Sequence, residues 1–145
     1  MTRVDFYVLD SGGAAARNTL ACRLVEKAWL RGHQIYMHAP SPADAKQLDD
    51  LLWTFRAGSF VPHRLQENAN ETPCPVHIGT GEAKVSATDV LINLAADVPP
   101  FFSRFERVIE VVAPDAPVRD AARERYRYYR DRGYALESHN ISGKS

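Results

Sequence analysis

Arginines recur near the end of the chain in numbers that suit the recognition of an anionic ligand. From Arg119 to Arg132 the sequence holds six arginines and three acidic residues, whereas the whole chain has eighteen basic and eighteen acidic residues. A guanidinium is a planar fork that donates two parallel hydrogen bonds to a carboxylate or a phosphate. This local excess predicts a site that binds a negatively charged group of a partner.

The arginine-rich segment has the periodicity of a helix with two different sides. At about 100° per residue, the broader side carries the apolar and aromatic positions together with one arginine: Val118, Ala121, Ala122, Arg125, Tyr128 and Tyr129. The other side carries an arginine stripe, which consists of Arg119, Arg123, Arg127 and Arg130. Tyr126 lies at the border between the two sides. The alternative is an ordinary solvated helix whose arginines pair with its own acids, Asp120, Glu124 and Asp131.

A second candidate binding surface combines large aromatic residues with an interruption of regular structure. Trp53, Phe55 and Phe60 stand close together where a predicted helix gives way to a loop containing Gly58 and Pro62. Tryptophan is enriched at interface hot spots, where its ring fills a pocket of the partner. The alternative is a small hydrophobic cluster beneath the loop, and composition alone does not decide between the two.

The sequence contains no motif that indicates catalysis, a cofactor or a metal. Residues 10–16 follow a predicted strand, but two glycines and three alanines in a row match neither the dinucleotide fingerprint nor a P-loop. The five histidines have no metal-binding spacing, and Ser11 and Ser59 lie in no nucleophile elbow. We therefore expect no catalytic residue, no metal and no cofactor. A small nucleotide-binding enzyme that uses residues 10–16 stays as an alternative.

Length and composition are typical of one globular domain. The 145 residues are 45% hydrophobic and 25% charged, which is close to the globular average and sufficient for one continuous core. The N-terminus lacks the apolar core of a signal peptide, and no segment approaches the roughly 20 apolar residues of a membrane helix. The two cysteines, Cys22 and Cys74, suggest neither a disulfide framework nor a metal site. We expect a cytoplasmic protein with a single domain at residues 1–140 and a flexible tail at 141–145.

Short apolar strands alternate with segments of helical periodicity along the chain. Strands are predicted at residues 4–9, 34–39, 76–78, 89–94 and 107–112, with an edge strand at 134–139. Helices are predicted at 18–30, 41–53 and 117–132, with a short helix after the proline pair at 99–100 and an irregular stretch at 56–72. Ser41 can cap the second helix, and Pro42 fits its first turn. The pattern predicts a Rossmann-like three-layer α/β domain with a largely parallel sheet flanked by helices.

Several of these segments, in the same order, resemble one known family. The runs LDDLLW at 48–53, SFVPH at 59–63 and ARERYR at 122–127 are similar to signatures of the chi subunit of bacterial DNA polymerase III. The strands FYVLD at 6–10 and DVLINL at 89–94 fit the same family pattern. Residues 66–75 and 79–86 depart from it. The resemblance extends over nearly the whole chain.

The resemblance implies a replication adaptor without catalytic activity. Members of the family bind the psi subunit of the clamp loader, and they bind the acidic C-terminal tail of single-stranded-DNA-binding protein, which ends in a phenylalanine carboxylate. In some bacteria a repair helicase also binds chi, through a surface that overlaps the psi site. By position, the tail site comprises Val112, Arg119, Arg123, Tyr126 and Arg127. The psi or helicase interface comprises Trp53, Phe60, Val61 and Pro62.

Direct binding of single-stranded DNA through the arginine-rich helix is a further alternative. Tyrosine rings can stack on bases, and arginines can contact phosphates. The net charge of zero argues against this reading, because proteins that bind many phosphates usually carry a basic excess. We therefore expect protein partners and no direct nucleic-acid contact.

Overall fold

Strands and helices alternate through residues 2–66, 74–84 and 89–142, which are the residues that the computed structural model describes. The elements follow in chain order: β1 (Arg3–Leu9), α1 (Ala14–Leu30), β2 (Ile35–His38), α2 (Pro42–Thr54), β3 (His63–Leu65), β4 (Val76–Gly79), β5 (Val90–Asn93), a 3₁₀ helix (Phe102–Arg104), β6 (Arg107–Val112), α3 (Ala116–Asp131) and β7 (Ala135–Ile141). Within the described ranges, no helix is long and apolar enough to cross a lipid bilayer.

The strands form one seven-stranded parallel sheet in the order β3-β4-β2-β5-β6-β1-β7. One face of the sheet forms a core cluster with α1 and α2, in which Ile109 of β6 is fully enclosed. The opposite face forms a second cluster with α3 and the 3₁₀ helix, and it includes the neighbouring Val108. Buried residues that alternate between two covered faces are expected in a parallel sheet. The predicted Rossmann-like three-layer α/β architecture is confirmed.

Helices α2 and α3 lie within one residue of their predicted boundaries at each end, and local chemistry explains where they begin and end. The Ser41 side chain accepts a hydrogen bond from the backbone N–H of Asp44 at 3.2 Å, and Pro42 occupies the first turn of α2. A serine cap of this kind satisfies one N–H that the helix leaves unpaired. After α3, Gly133 has a φ of +80°, a left-handed conformation that glycine adopts without steric cost.

Two elements differ from the prediction: α1 starts earlier, because alanine has the highest helix propensity, and β3 was not predicted. Helix α1 begins at Ala14 rather than at residue 18, so the alanines predicted to form a connecting loop are its first turn. Strand β3 lies inside the stretch predicted to be irregular, where its three residues pair with β4. Such a short strand has no periodicity of its own to detect. The rest of that stretch, from residue 67 onward, lies outside the described residues.

The predicted edge strand at the end of the chain is confirmed as β7. It pairs in parallel with β1 and extends to Ile141, which is one residue into the segment predicted to be a flexible tail. Residues 143–145 of that segment lie outside the described residues. The last described strand thus belongs to the sheet over its full length and borders α3.

Two histidines within the sheet are expected to make stability depend on pH. Burial lowers the pKa of His38 and the pKa of His77 below the ordinary value of 6.5. Below pH 6.5 these histidines bind protons in the unfolded chain more readily than in the folded chain. Their contribution to the free energy of unfolding is therefore complete above pH 6.5 and is lost as the pH falls below that value. We expect a loss of up to about 1.4 kcal/mol per pH unit for each histidine.

Urea denaturation at about pH 7.5 and about pH 5.5 measures this dependence as the change in the free energy of unfolding. The variant His77→Gln should lose less stability between the two pH values than the unmodified chain. The matched control is His33→Gln, because His33 is exposed. An unchanged dependence in His77→Gln would contradict the prediction.

Candidate functional site

Helix α3 presents the arginine stripe to solvent because its opposite side is tied into the protein. Its buried residues are Ala122, Arg125 and Tyr129, and the other three residues predicted on the broader side of the helix are half-buried. Two of these three buried side chains are polar, so directional bonds as well as apolar packing hold the helix. All four arginines of the stripe are exposed.

The bonds that hold α3 converge on Glu110, a fully buried carboxylate in β6. It accepts hydrogen bonds from Arg125 Nε at 2.9 Å, from the Tyr129 hydroxyl at 2.8 Å and from Asn93 Nδ2 at 3.1 Å. Arg125 Nη1 donates to the Ala96 carbonyl at 2.8 Å. Burial raises the pKa of Glu110, and the Arg125 charge opposes that rise. The network fixes the rotation of α3 about its axis and so directs the stripe outward.

Between α3 and the sheet lies a cavity of about 180 Å³ with an apolar floor and a cationic rim. We call it the α3 groove, and its lining residues are Phe6, Val8, Val112, Ser138, Arg119, Ala122, Arg123 and Tyr126. The floor comes from adjacent strands, since Val8 pairs with Val112 in register. The groove is open towards β7, where Ser138 is exposed at the sheet edge.

Tyr126 forms a wall of the α3 groove through an aromatic contact with the floor. Its ring meets the ring of Phe6 edge to face, with the centroids 5.3 Å apart and the planes at 60°. Phe6 also contacts Tyr129, at 6.1 Å between centroids. Edge-to-face pairs of this kind stabilise a defined ring orientation. The tyrosine therefore forms part of a shaped apolar surface beside the arginines.

The structure brings four of the five predicted tail-site residues to one cavity. Val112, Arg119, Arg123 and Tyr126 all line the α3 groove, whereas Arg127 lies outside its lining one turn further along the stripe. The prediction missed the other four lining residues, which are Phe6, Val8, Ala122 and Ser138. Phe6 and Val8 share one face of β1 by strand alternation, but the sequence does not reveal that α3 covers that face.

The alternative in which the arginines pair with acids of their own helix is partly observed. Three residues of the stripe have such partners: Arg123 with Asp120 at 3.5 Å, Arg127 with Glu124 at 2.5 Å and Arg130 with Asp131 at 3.2 Å. Arg119 has no ion pair with any described residue. All three pairs are exposed to solvent, and such pairs contribute only about 0–1 kcal/mol. A ligand carboxylate can therefore replace these acids as a partner of the arginines.

The second candidate surface is also exposed, and we call it the Trp53–Phe60 patch. Trp53 is 60% exposed and Phe60 is 75% exposed, which is unusual for side chains of this size. Pro62 is exposed beside them, whereas Val61 is buried. Val61 belongs to the main core cluster formed with α1 and α2, and half-buried Phe55 packs against that cluster, so these two residues are part of the core whereas Trp53 and Phe60 are exposed.

Hydrogen bonds fix the backbone that carries the Trp53–Phe60 patch. Glu26 of α1 accepts hydrogen bonds from Ser59 Oγ and, at 2.6 Å, from Arg56 Nη2. These bonds, led by that of Ser59, lower the pKa of Glu26. The enclosed His63 ring lies 4.7 Å from the Trp53 ring and contacts the Asp49 carbonyl through Nε2 at 2.9 Å. Trp53 thus projects from the last turn of α2 and Phe60 from the anchored loop that follows it.

The two candidate surfaces lie near opposite edges of the sheet. The Trp53–Phe60 patch adjoins β3 and the α3 groove adjoins β7, and these are the two end strands. Six strand spacings of about 4.8 Å place those strands about 29 Å apart. Two separate partners therefore have room to bind at the same time.

The glycine-rich connection after β1 offers little for a phosphate. The space beside Gly12 and Gly13 is lined by both Arg17 and Asp115, and the charges of Asp115 and Asp44 offset that of the Arg17 guanidinium. A Cβ atom on Gly12 would meet the Ala16 side chain at 2.6 Å, so packing against the helix accounts for this glycine. The nucleotide-binding alternative gains no support from this geometry.

One group of potential metal ligands is engaged by the protein itself. Asp5, Glu137 and His139 bring donor atoms within 4.8 Å of one another. Asp5 already accepts a hydrogen bond from Arg107 Nε at 2.7 Å. It accepts a second one from His139 Nε2, at 3.1 Å, when that nitrogen carries the proton. Burial would raise the pKa of Asp5, but these two partners lower it. The group is an ion-pair network that joins β1, β6 and β7.

Fold and site together define a class of protein: a Rossmann-like α/β domain with an arginine-rimmed apolar groove along its last helix. The profile described as DNA polymerase III chi subunit, HolC, matches residues 1–137. The DNA polymerase III subunit chi of Pseudomonas aeruginosa is 45% identical over 141 residues, which is 97% of this chain and 98% of the relative. The proteins of the same name in Haemophilus influenzae and Escherichia coli are 32% and 31% identical, over 94% and 95% of this chain and 96% and 97% of their own lengths. The chain belongs to the chi subunit family of DNA polymerase III.

Proposed function

We propose that this chain is a non-catalytic replication adaptor that joins the psi subunit of the clamp loader to single-stranded-DNA-binding protein. Membership of the chi family supports a role in DNA replication. The observation that carries the adaptor function is the α3 groove, in which an apolar floor adjoins exposed arginines. As a replication subunit the chain is expected to act in the cytoplasm, away from membranes.

The α3 groove has the chemistry to bind a peptide that ends in an aromatic residue and a free carboxylate. The aromatic ring would rest on Val8 and Val112 beside Tyr126, where its burial is favourable. The terminal carboxylate would accept hydrogen bonds from the Arg123 or Arg119 guanidinium. Acidic residues further upstream would be attracted by the rest of the stripe, over a screening length of about 8 Å at physiological salt.

The Trp53–Phe60 patch is the surface that we assign to the psi subunit. An exposed tryptophan at the end of a helix and an exposed phenylalanine on the anchored loop after it are typical of interface hot spots. Val61 supports the loop from inside, and Pro62 restricts its backbone. A repair helicase would compete for the same patch. The separation of the two candidate surfaces supports an adaptor that binds tail and psi together.

Arg123→Ala is expected to weaken the binding of a tail peptide by about 10- to 100-fold. The loss of a hydrogen bond to a charged group costs about 1.5–3 kcal/mol, and each 1.4 kcal/mol is a factor of ten. Isothermal titration calorimetry with an acidic peptide that ends in phenylalanine measures the effect. Trp53→Ala is the control and should bind the peptide with unchanged affinity. Equal affinity of the Arg123→Ala variant and the unmodified chain would remove the tail site from this groove.

A further inference from the structure

Two acidic residues of α3 border the arginine stripe on the side away from the α3 groove, and neither of them lines that groove. Asp120 and Glu124 each precede an arginine of the stripe by three residues, and each side chain is 72% exposed. Asp120 lies 3.5 Å from Arg123, and Glu124 lies 2.5 Å from Arg127. The two arginines are therefore already engaged when a ligand arrives.

An incoming anion meets two obstacles at these positions. It must replace the internal carboxylate as the partner of each arginine, and it is repelled by that carboxylate while it approaches. Pairs of exposed charges three residues apart on a helix are weak enough to be exchanged but are not negligible. Charge therefore brings less affinity at Arg123 and Arg127 than it would without the two acids.

We propose that Asp120 and Glu124 are specificity-determining residues, internal competitors that make binding depend on the apolar floor as well as on charge. This inference rests on the proposed binding of an acidic tail at the α3 groove. A peptide with a terminal ring gains contact with Val8, Val112 and Tyr126, which the acids do not oppose. Single-stranded DNA, by contrast, depends more heavily on contacts between its phosphates and the arginines, so the two acids weaken its binding more than that of the peptide.

The test uses fluorescence anisotropy with three labelled probes on the full chain. The probes are an acidic peptide that ends in phenylalanine, the same peptide ending in alanine, and an oligothymidylate. The test variant is Asp120→Asn/Glu124→Gln. The control variant is Asp50→Asn/Glu106→Gln, which removes the same two negative charges at exposed positions outside α3.

The test variant is expected to bind the phenylalanine peptide about 3- to 10-fold more tightly than the unmodified chain. Its affinity for the alanine peptide and for the oligothymidylate should rise by about 10-fold or more, with a steeper salt dependence. The control variant should change each affinity by no more than about twofold. A gain in affinity is informative because a damaged fold does not produce it.

Two results would overturn the inference. One is a test variant that gains affinity for none of the three probes, and the other is a control variant that gains as much as the test variant. Failure of the proposed function has a different signature: the unmodified chain would bind neither peptide. The oligothymidylate arm still measures the effect of the two acids in that case.

Discussion

Glu110→Ala is expected to lower the free energy of unfolding by about 3–5 kcal/mol, because it leaves the Arg125 guanidinium buried without its counter-charge. Arg125 is only 6% exposed and Glu110 is fully buried, so water cannot replace the lost partner. The hydroxyl of Tyr129 and the amide of Asn93 would lose the same acceptor. Urea denaturation monitored by circular dichroism measures the loss.

Two further variants separate this effect from a general sensitivity of β6. Glu106→Ala changes an exposed carboxylate just before the same strand and should alter stability by no more than about 0.5 kcal/mol. Glu110→Gln keeps a side-chain acceptor of similar shape and should lose less stability than Glu110→Ala. A Glu110→Ala variant that unfolds within about 1 kcal/mol of the unmodified chain would show that the network contributes little.

The network also links the stability of the chain to the proposed binding site. Glu110 and Val112 are both in β6. Glu110 holds α3 in place through Arg125, and Val112 forms part of the floor of the α3 groove. A shift of α3 would change the distance between the arginines on the rim and the apolar floor. Recognition of a ring and a carboxylate in one ligand requires that distance to be fixed.

Phe60→Ala is expected to weaken the complex with psi by about 30- to 1,000-fold, since truncation of a hot-spot aromatic costs about 2–4 kcal/mol. Because 75% of the Phe60 side chain is exposed, the same change should leave the stability of the free chain within about 0.5 kcal/mol. Co-purification of psi with the chain, followed by surface plasmon resonance, measures the complex.

The chain offers a matched control for this substitution. Leu30 is another large apolar side chain with high exposure, 68%, and it lies at the end of α1. Leu30→Ala should leave the psi complex intact, and so should Arg123→Ala at the other edge of the sheet. If psi still co-purifies fully with Phe60→Ala, the interface lies elsewhere on the molecule.

Local features of the chain were readable from the sequence because they depend on neighbouring residues only. Strand hydrophobicity, the Ser41 cap, Gly133 after the last helix and the spacing of the arginines by three or four residues are properties of short segments. Each of these features is present in the structure because tertiary packing favours the same local conformation as the short segment does by itself. The helical spacing of the arginines alone thus determines which side of α3 is exposed.

Tertiary structure alone decided what lies beneath that helix. The sequence placed Arg125 on the inner side of α3 but contained no sign that Glu110, fifteen residues earlier, would be its partner. Phe6, Val8 and Ser138 reach the α3 groove because β7 pairs with β1 across more than a hundred residues. Strand order sets such contacts, and it depends on how whole layers pack rather than on the periodicity of any one segment. The positive charge of the site therefore comes from residues of one helix, whereas its apolar floor forms only when distant strands pair in the folded sheet.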